Sequence, residues 1–321
     1  MNRIISLSVP ILVFVIISFS QEKKNRFFSE EEIILNTSNG DIYGSLIVPK
    51  RIKTKIPVVL IIAGSGPTDR NGNNGLMKNN SLKMLAVGLG ENKIASLRYD
   101  KRCIGESKNA CIPEKDLRFE NYINDAAEWI EKLKTDERFS YVAVMGHSEG
   151  SLIGIIASEK SKADKFISLA GVGNRINIVI KEQLKDQPVK IKEEFYAILD
   201  SLTQGDTVVN INSSTNSLFR KSIQPYLISW IKYDPQIEIK KLKIPVLLIQ
   251  GTTDIQVSVN EVNLLKNSSS DAELKIFENM NHVLKDSSDD YAENIKTYYN
   301  PDLSLKKGLI EVISEFIIIR Q

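Results

Sequence analysis

Gly146-His147-Ser148-Glu149-Gly150 carries the most chemical content of any string in the 321 residues. It fits G-x-S-x-G and lies directly between a strand pattern, Tyr141 to Met145, and a helical run, Ser151 to Ile156. A serine at the tip of such a strand-turn-helix corner is held in a strained backbone conformation with its Oγ above the sheet. Side chains at the two flanking positions would collide with strand and helix, so glycine at 146 and 150 supplies the room. Ser148 is therefore the candidate nucleophile. The N–H of Glu149 and the amino end of the following helix lie where a developing oxyanion would need donors. The plain alternative for Ser148 is a helix N-cap serine.

A serine hydroxyl needs a base, and the chain holds two histidines. His147 adjoins the serine on the turn, so its ring should point away from Oγ. That leaves His282, which ends Glu278-Asn279-Met280-Asn281-His282, a loop just past the strand candidate Leu274 to Phe277. Its plain alternative is a surface loop histidine. Hydrolases built on this corner order their triad serine, acid, histidine. Asp254 fits that place, because Thr252-Thr253-Asp254 follows the buried-strand pattern that ends at Gly251. Glu261 and Asp271 are weaker candidates, lying deeper in helical or linker sequence, and N-capping is the plain reading of Asp254 itself. A carboxylate there would fix the His282 tautomer and stabilise its imidazolium. The second oxyanion donor should come from Ala63-Gly-Ser-Gly-Pro-Thr-Asp-Arg70, after the strand Val58 to Ile62. We choose the N–H of Ser65, with Gly66 as the alternative; Pro67 has none to give.

These residues must be brought to one edge of a sheet. Strand candidates Val58 to Ile62, Ile94 to Tyr99, Tyr141 to Met145, Phe166 to Ala170, Val246 to Gln250 and Leu274 to Phe277 alternate with helical patterns, which is the signature of a parallel sheet covered on both faces. Ahead of them, Glu32 to Asn36 and Ile42 to Val48 flank Asn39-Gly40, a hairpin signal at the sheet edge. The expectation is an α/β-hydrolase fold: a mostly parallel, eight-stranded mixed sheet flanked by helices. Ile123, Ala126, Ala127, Ile130 and Leu133 recur at helical spacing, so 118–135 should lay one apolar stripe on the sheet. From about 174 to 240 the βα rhythm breaks, with two or three helical patterns and a polar tract, Asn210 to Asn216. This stretch reads as an inserted helical cap over the carboxyl ends of the strands. Leu303 to Ile319 reads as a closing helix. Asp69, Arg70, Asp100 and Arg102 lie on loops near the mouth, and pairing with one another is expected over substrate contact.

Composition narrows the rest. With 42 Lys plus Arg against 40 Asp plus Glu, the net charge is +2, far from the cationic footprint that nucleic-acid binding requires. Two histidines and two cysteines cannot build a His/Cys-rich metal site, and no acidic calcium loop is present, so no metal and no cofactor are expected.

Residues 1–20, MNRIISLSVPILVFVIISFS, have positive charge at the start, an apolar run from Ile11 to Ile17 and small residues at Ser18 and Ser20. They read as a signal peptide cleaved after Ser20, leaving 21–321 as the hydrolase domain with no stable membrane span. The other reading is an anchor formed by residues 4–20, though Pro10 and the serines make a weak span. Export would be periplasmic or secretory. It would carry Cys103 and Cys111, eight residues apart in a Gly/Pro-punctuated loop, into an oxidising space where they could close a disulfide. Without export, two free thiols are the expected state.

Gly146 to Gly150, Gly251 to Asp254 and His282, with Gly64-Ser-Gly-Pro-Thr-Asp-Arg70 and Arg98-Tyr-Asp-Lys-Arg-Cys-Ile-Gly105, resemble α/β-hydrolase esterases of the serine aminopeptidase-like group. The likeness spans most of residues 33–320. It implies a carboxylesterase with a helical cap acting on a small-molecule ester or acyl substrate, and it carries over Ser148, Asp254 and His282 as the triad. Cys103 departs from the pattern, standing where such relatives commonly have glycine. No cap motif transfers, so neither substrate nor oligomeric state is implied. A serine peptidase or aminopeptidase, a thioester or acyl-sugar hydrolase, and an inactive binding protein on the same fold are the alternatives.

Overall fold

A computed structural model describes residues 27–319. The expected signal peptide, 1–20, lies outside the described residues.

Eight strands form one sheet in the order β1-β2-β4-β3-β5-β6-β7-β8. β1 (Phe28–Thr37) and β2 (Gly40–Pro49) make an antiparallel hairpin around Asn39-Gly40, and β2 pairs antiparallel with β4 (Ala95–Tyr99). From β4 onward every pairing is parallel, through β3 (Ile56–Ile62), β5 (Phe139–His147), β6 (Lys165–Leu169), β7 (Val246–Gly251) and β8 (Glu273–Phe277). The central strands are buried at nearly every position, as a sheet covered on both sides demands. Their alternation splits the core in two. Val58, Leu60, Ile62 and Val144 join one apolar cluster, while Val59, Ile61, Ala143 and Met145 join the other on the opposite face.

α1 (Ser81–Glu91) and α11 (Leu309–Ile318) cover the second face. α2 (Phe119–Lys134), with Ile123, Ala126, Ala127, Ile130 and Leu133 buried as one stripe, covers the first together with α3 (Glu149–Lys160). Between β6 and β7 the chain runs through α4 (Ile176–Gln183), α5 (Val189–Gln204), α6 (Asn216–Phe219), α7 (Gln224–Ile231) and α8 (Pro235–Ile239), with no strand among the described residues. Five helical segments, two of them a single turn or little more, thus replace the two or three expected between 174 and 240. This cap is fastened by aromatic packing: Trp230 stacks on Phe119 at 5.4 Å and 4°, and Tyr226 meets Tyr122 edge-on. Phe119 and Tyr122 open α2, so α7 comes down on the side of the sheet where the strands end.

After β7 and β8 come α9 (Val259–Ser268) and α10 (Tyr291–Thr297). The closing helix begins at Leu309 instead of Leu303, because Gly308 takes a left-handed φ of 86° and Leu305 is spent pairing with Lys285. The hairpin strands are longer than expected, because their antiparallel ladder runs unbroken from Phe28–Pro49 to Thr37–Gly40, beyond the apolar runs that marked them in the sequence. Cys103 and Cys111 are disulfide-bonded. Cys103 has φ 68°, the left-handed region in which glycine carries no Cβ penalty, so the departure from glycine noted in the sequence falls at a position whose backbone would favour glycine.

Candidate active site

Ser148 sits at the corner between β5 and α3 with φ 54° and ψ −121°, a strained conformation for a residue with a side chain. A Cβ on Gly146 would lie 2.1 Å from the Gly150 carbonyl oxygen, and one on Gly150 would lie 2.4 Å from that of Ile62. Both glycines are therefore required by backbone approach. The corner is pinned by the Ser148 N–H, which donates to the Leu169 carbonyl at the end of β6 at 2.9 Å. Ser148 caps α3 by position, yet its side chain makes no capping bond. From Val142 to Gly150 it is the one residue that is not buried. Its hydroxyl is available, which the N-cap reading does not require.

Asp254 and His282 meet as the spacing suggested. His282 Nδ1 lies 2.8 Å from Asp254 Oδ2, with both side chains almost wholly buried. The carboxylate accepts three further bonds: Oδ1 from the N–H groups of Gln256 at 2.8 Å and Val257 at 2.9 Å, and Oδ2 from Gln250 Nε2 at 3.1 Å. Burial alone would push the Asp254 carboxyl up, but the His282 charge and hydrogen bond, with those two N–H groups, hold it below the usual carboxylate range. An ionised acceptor on Nδ1 puts the imidazole proton there and leaves Nε2 as the basic nitrogen.

His147 has a role that sequence reasoning missed. Its Nε2–H donates to the His282 carbonyl at 2.8 Å, and the two rings lie 4.7 Å apart. The residue before the nucleophile thus holds the backbone of the candidate base and brings His282 beside the corner. Burial, then the neighbouring His282, push its pKa down to about 4, so it is neutral at physiological pH. From the other side, Asn281 Nδ2 binds Asn294 and Thr297 in α10, and the Thr253 N–H reaches the Met280 carbonyl.

Ser65 and Gly66 are exposed, Gly66 with φ 70°. A Cβ on Gly64 would lie 3.2 Å from the Cβ of Ser148, so the loop after β3 touches the corner one residue before the chosen donor. Glu149 is at the first turn of α3, its side chain buried against Lys101 and Tyr226. Of the mouth charges, Arg70 grips Asp100 through Nε and Nη2, whereas Arg102 pairs with Asp125 from α2 and Asp69 caps its own loop by accepting from the N–H groups of Asn71 and Asn73. The expected pairing holds for one couple only, because α2 supplies a buried carboxylate that loop sequence could not reveal. Glu261 takes the N–H groups of Gly173 and Asn174 at the entry to the cap, which removes it as an acid for His282.

The sheet order and the strand-turn-helix corner at its centre define an α/β hydrolase. The sequence model of the BD-FAE family matches residues 41–268, and the chain belongs to that family. The matched stretch contains Ser148 and Asp254 and ends before His282. Esterase EstD of Thermotoga maritima is 30% identical over 272 residues, 80% of this chain; the chain spans about 60% of the length of that relative. Among solved structures, Est1E of Butyrivibrio proteoclasticus, determined with ferulic acid bound, superposes with a TM-score of 0.60 at 15% identity, covering 89% of this chain and 96% of that one. XC6422 of Xanthomonas campestris, described as an α/β serine hydrolase without lid, gives 0.53 at 15% identity over 92% and 100% of the two chains. At such identities these two likenesses carry the fold alone.

Proposed function

We propose that the chain is a serine esterase that cleaves a small-molecule carboxylic ester through an acyl-enzyme on Ser148. The observation that carries this reading is the 2.8 Å contact of His282 Nδ1 with a buried carboxylate, next to a serine with a free hydroxyl on a strained corner. Ser148 Oγ attacks the acyl carbon while His282 Nε2 takes its proton, and Asp254 stabilises the imidazolium that results. The negative oxygen of the tetrahedral intermediate accepts from the N–H groups of Glu149 and Ser65. The alcohol leaves with the proton from Nε2. Water, deprotonated by the same nitrogen, then attacks the acyl group and frees Ser148. The esterase name of the Thermotoga maritima relative agrees with this chemistry.

The test is covalent labelling with a fluorophosphonate, followed by assay on short and medium p-nitrophenyl esters, for the protein and its Ser148→Ala variant. Labelling and turnover confined to the unmutated protein are the expected result. Two folded proteins that both stay unlabelled would mean an unassembled triad and an inactive fold. Residues 1–20 and the Cys103–Cys111 disulfide together support export, since such bonds persist in oxidising compartments. Intact mass of the chain recovered from its native compartment should correspond to a start at Gln21; a mass that includes residues 1–20 would favour the anchor.

A further inference from the structure

Behind the corner lies a buried polar chain that the catalytic steps above do not use. Lys101, just past β4, is 1% exposed, and its Nζ donates to the Gly64 carbonyl at 2.6 Å and to Glu149 Oε2 at 3.1 Å. The same ammonium stands 5.0 Å from the centre of the Tyr122 ring. The other oxygen of Glu149 accepts from the hydroxyl of Tyr226, on cap helix α7, at 2.5 Å. Burial, then the Glu149 charge, hold the Tyr226 hydroxyl well above its ordinary pKa, so it stays protonated and remains a donor.

Gly64 and Ser65 share one peptide unit. In a trans peptide the C=O and N–H point in opposite directions within one plane. A cation fixed on the Gly64 oxygen therefore fixes the direction of the Ser65 N–H and polarises it as a donor. The loop beyond has little else to hold it: Ser65, Gly66 and Pro67 are exposed, and Thr68 Oγ1 reaches back to the Ser65 carbonyl at 2.9 Å.

We propose that Lys101 is a positioning residue of the oxyanion hole: it aims the Ser65 N–H by holding the Gly64 carbonyl, and is itself held by Glu149 and, through Glu149, by Tyr226 of the cap. Glu149 then serves both donors, giving one N–H directly and orienting the other through its carboxylate. The cap is tied to the rate of the chemical step, in addition to whatever it does for binding. This rests on the serine-esterase reading.

The test uses the full mature chain. Lys101→Met keeps the length and removes the charge; kcat should fall about 10- to 100-fold with KM within about twofold, because the hole acts on the transition state. Affinity for a phenylboronic acid, which Ser148 Oγ captures as a tetrahedral adduct with its oxygen in the hole, should fall in parallel. The rival account is that Lys101 only neutralises a buried Glu149. Lys101→Met/Glu149→Gln separates the two, since it leaves no stray charge and still lacks the bond to Gly64. Continued low kcat and weak boronate binding in the double variant support the positioning role; recovery of both overturns it. If Lys101→Met does not fold, the double variant and Tyr226→Phe carry the same readouts, the latter with a loss of about 2- to 5-fold in kcat. Unchanged kcat and boronate affinity in folded variants also overturn it. An unmutated protein that neither cleaves esters nor binds the boronate overturns the esterase reading itself, a result distinct from failure of the lysine variants alone.

Discussion

The two sides of the candidate site are built by different means. On the proton-transfer side, Ser148, Asp254 and His282 hang from the ends of β5, β7 and β8, and hydrogen bonds lace the strand ends together: two main-chain bonds, from Ser148 to Leu169 of β6 and from Thr253 to Met280, and one from the His147 ring to the carbonyl of His282. On the oxyanion side, three exposed residues follow β3, and the firmest grip on them is one lysine from a different strand. A sheet can position a nucleophile and base through its own ladder, because parallel strands end at a common edge. A loop that leaves the sheet needs a side chain to aim it. The first kind of order is local and hard to alter without breaking the fold, whereas the second is reached from Glu149 and the cap.

The largest losses belong to the laced side. Ser148→Ala should lower kcat/KM on p-nitrophenyl esters by about 10³- to 10⁶-fold with no change in the melting temperature beyond a few degrees. Retention of a tenth of the activity would show that another residue attacks. Asp254→Asn comes next, at about 10²- to 10⁴-fold, because an amide there no longer requires the proton of His282 to sit on Nδ1. Titration of kcat/KM against pH for that variant, compared with the parent, reads the tautomer effect separately from any loss of folding.

His147→Leu should have a smaller effect on rate, about tenfold, by freeing the carbonyl of His282. Its signature is in stability. Folded His147 takes a proton only below about 4, whereas the unfolded chain takes one below about 6.5, so between these values the unfolded state holds more protons. Stability from this group is complete above pH 6.5 and is lost as pH falls toward 4, by on the order of 3 kcal/mol. Asp254, also held low, adds loss at still lower pH. Denaturant midpoints measured from pH 7 to 4 should fall more steeply for the parent than for His147→Leu; parallel curves would remove His147 as the acid-sensitive group.

The laced side was also the more legible in the sequence. G-x-S-x-G, a strand ending in Gly251 and a loop ending in His282 are local patterns, and a parallel sheet turns local strand ends into one spatial edge. Scarcity helped, since two histidines left one candidate base once the neighbour of Ser148 was set aside. What could not be read was contact between side chains of remote segments. Lys101 lies between Asp100 and Arg102, two loop charges expected to pair near the mouth, and only the fold buries it against Gly64 and Glu149. Arg102 finds Asp125 on a helix whose apolar stripe was clear but whose buried carboxylate was not. His147 was expected to point away from the serine; that it would hold the backbone of the other histidine depends on the length of the β8 loop, which periodicity does not encode. Gln250 left a signal, a polar residue inside a buried strand, and it proves to donate to Asp254.

Ser65 gives the smallest expected effect and the sharpest contrast with the laced side. Its contribution is assigned to the main chain, and its hydroxyl has no hydrogen-bond partner among the described residues, being exposed on the loop. Ser65→Ala keeps the N–H and the Gly64 carbonyl that Lys101 holds, so kcat should stay within about twofold of the parent and the boronate affinity likewise. A serine that acted through its hydroxyl, as proposed for Ser148, would lose far more on the same change. Equal kcat in Ser65→Ala alongside a fall in Lys101→Met locates the function of this loop in the orientation of one peptide plane; a fall of tenfold or more in Ser65→Ala would move it to the side chain, and the two sides of the site would no longer differ in kind.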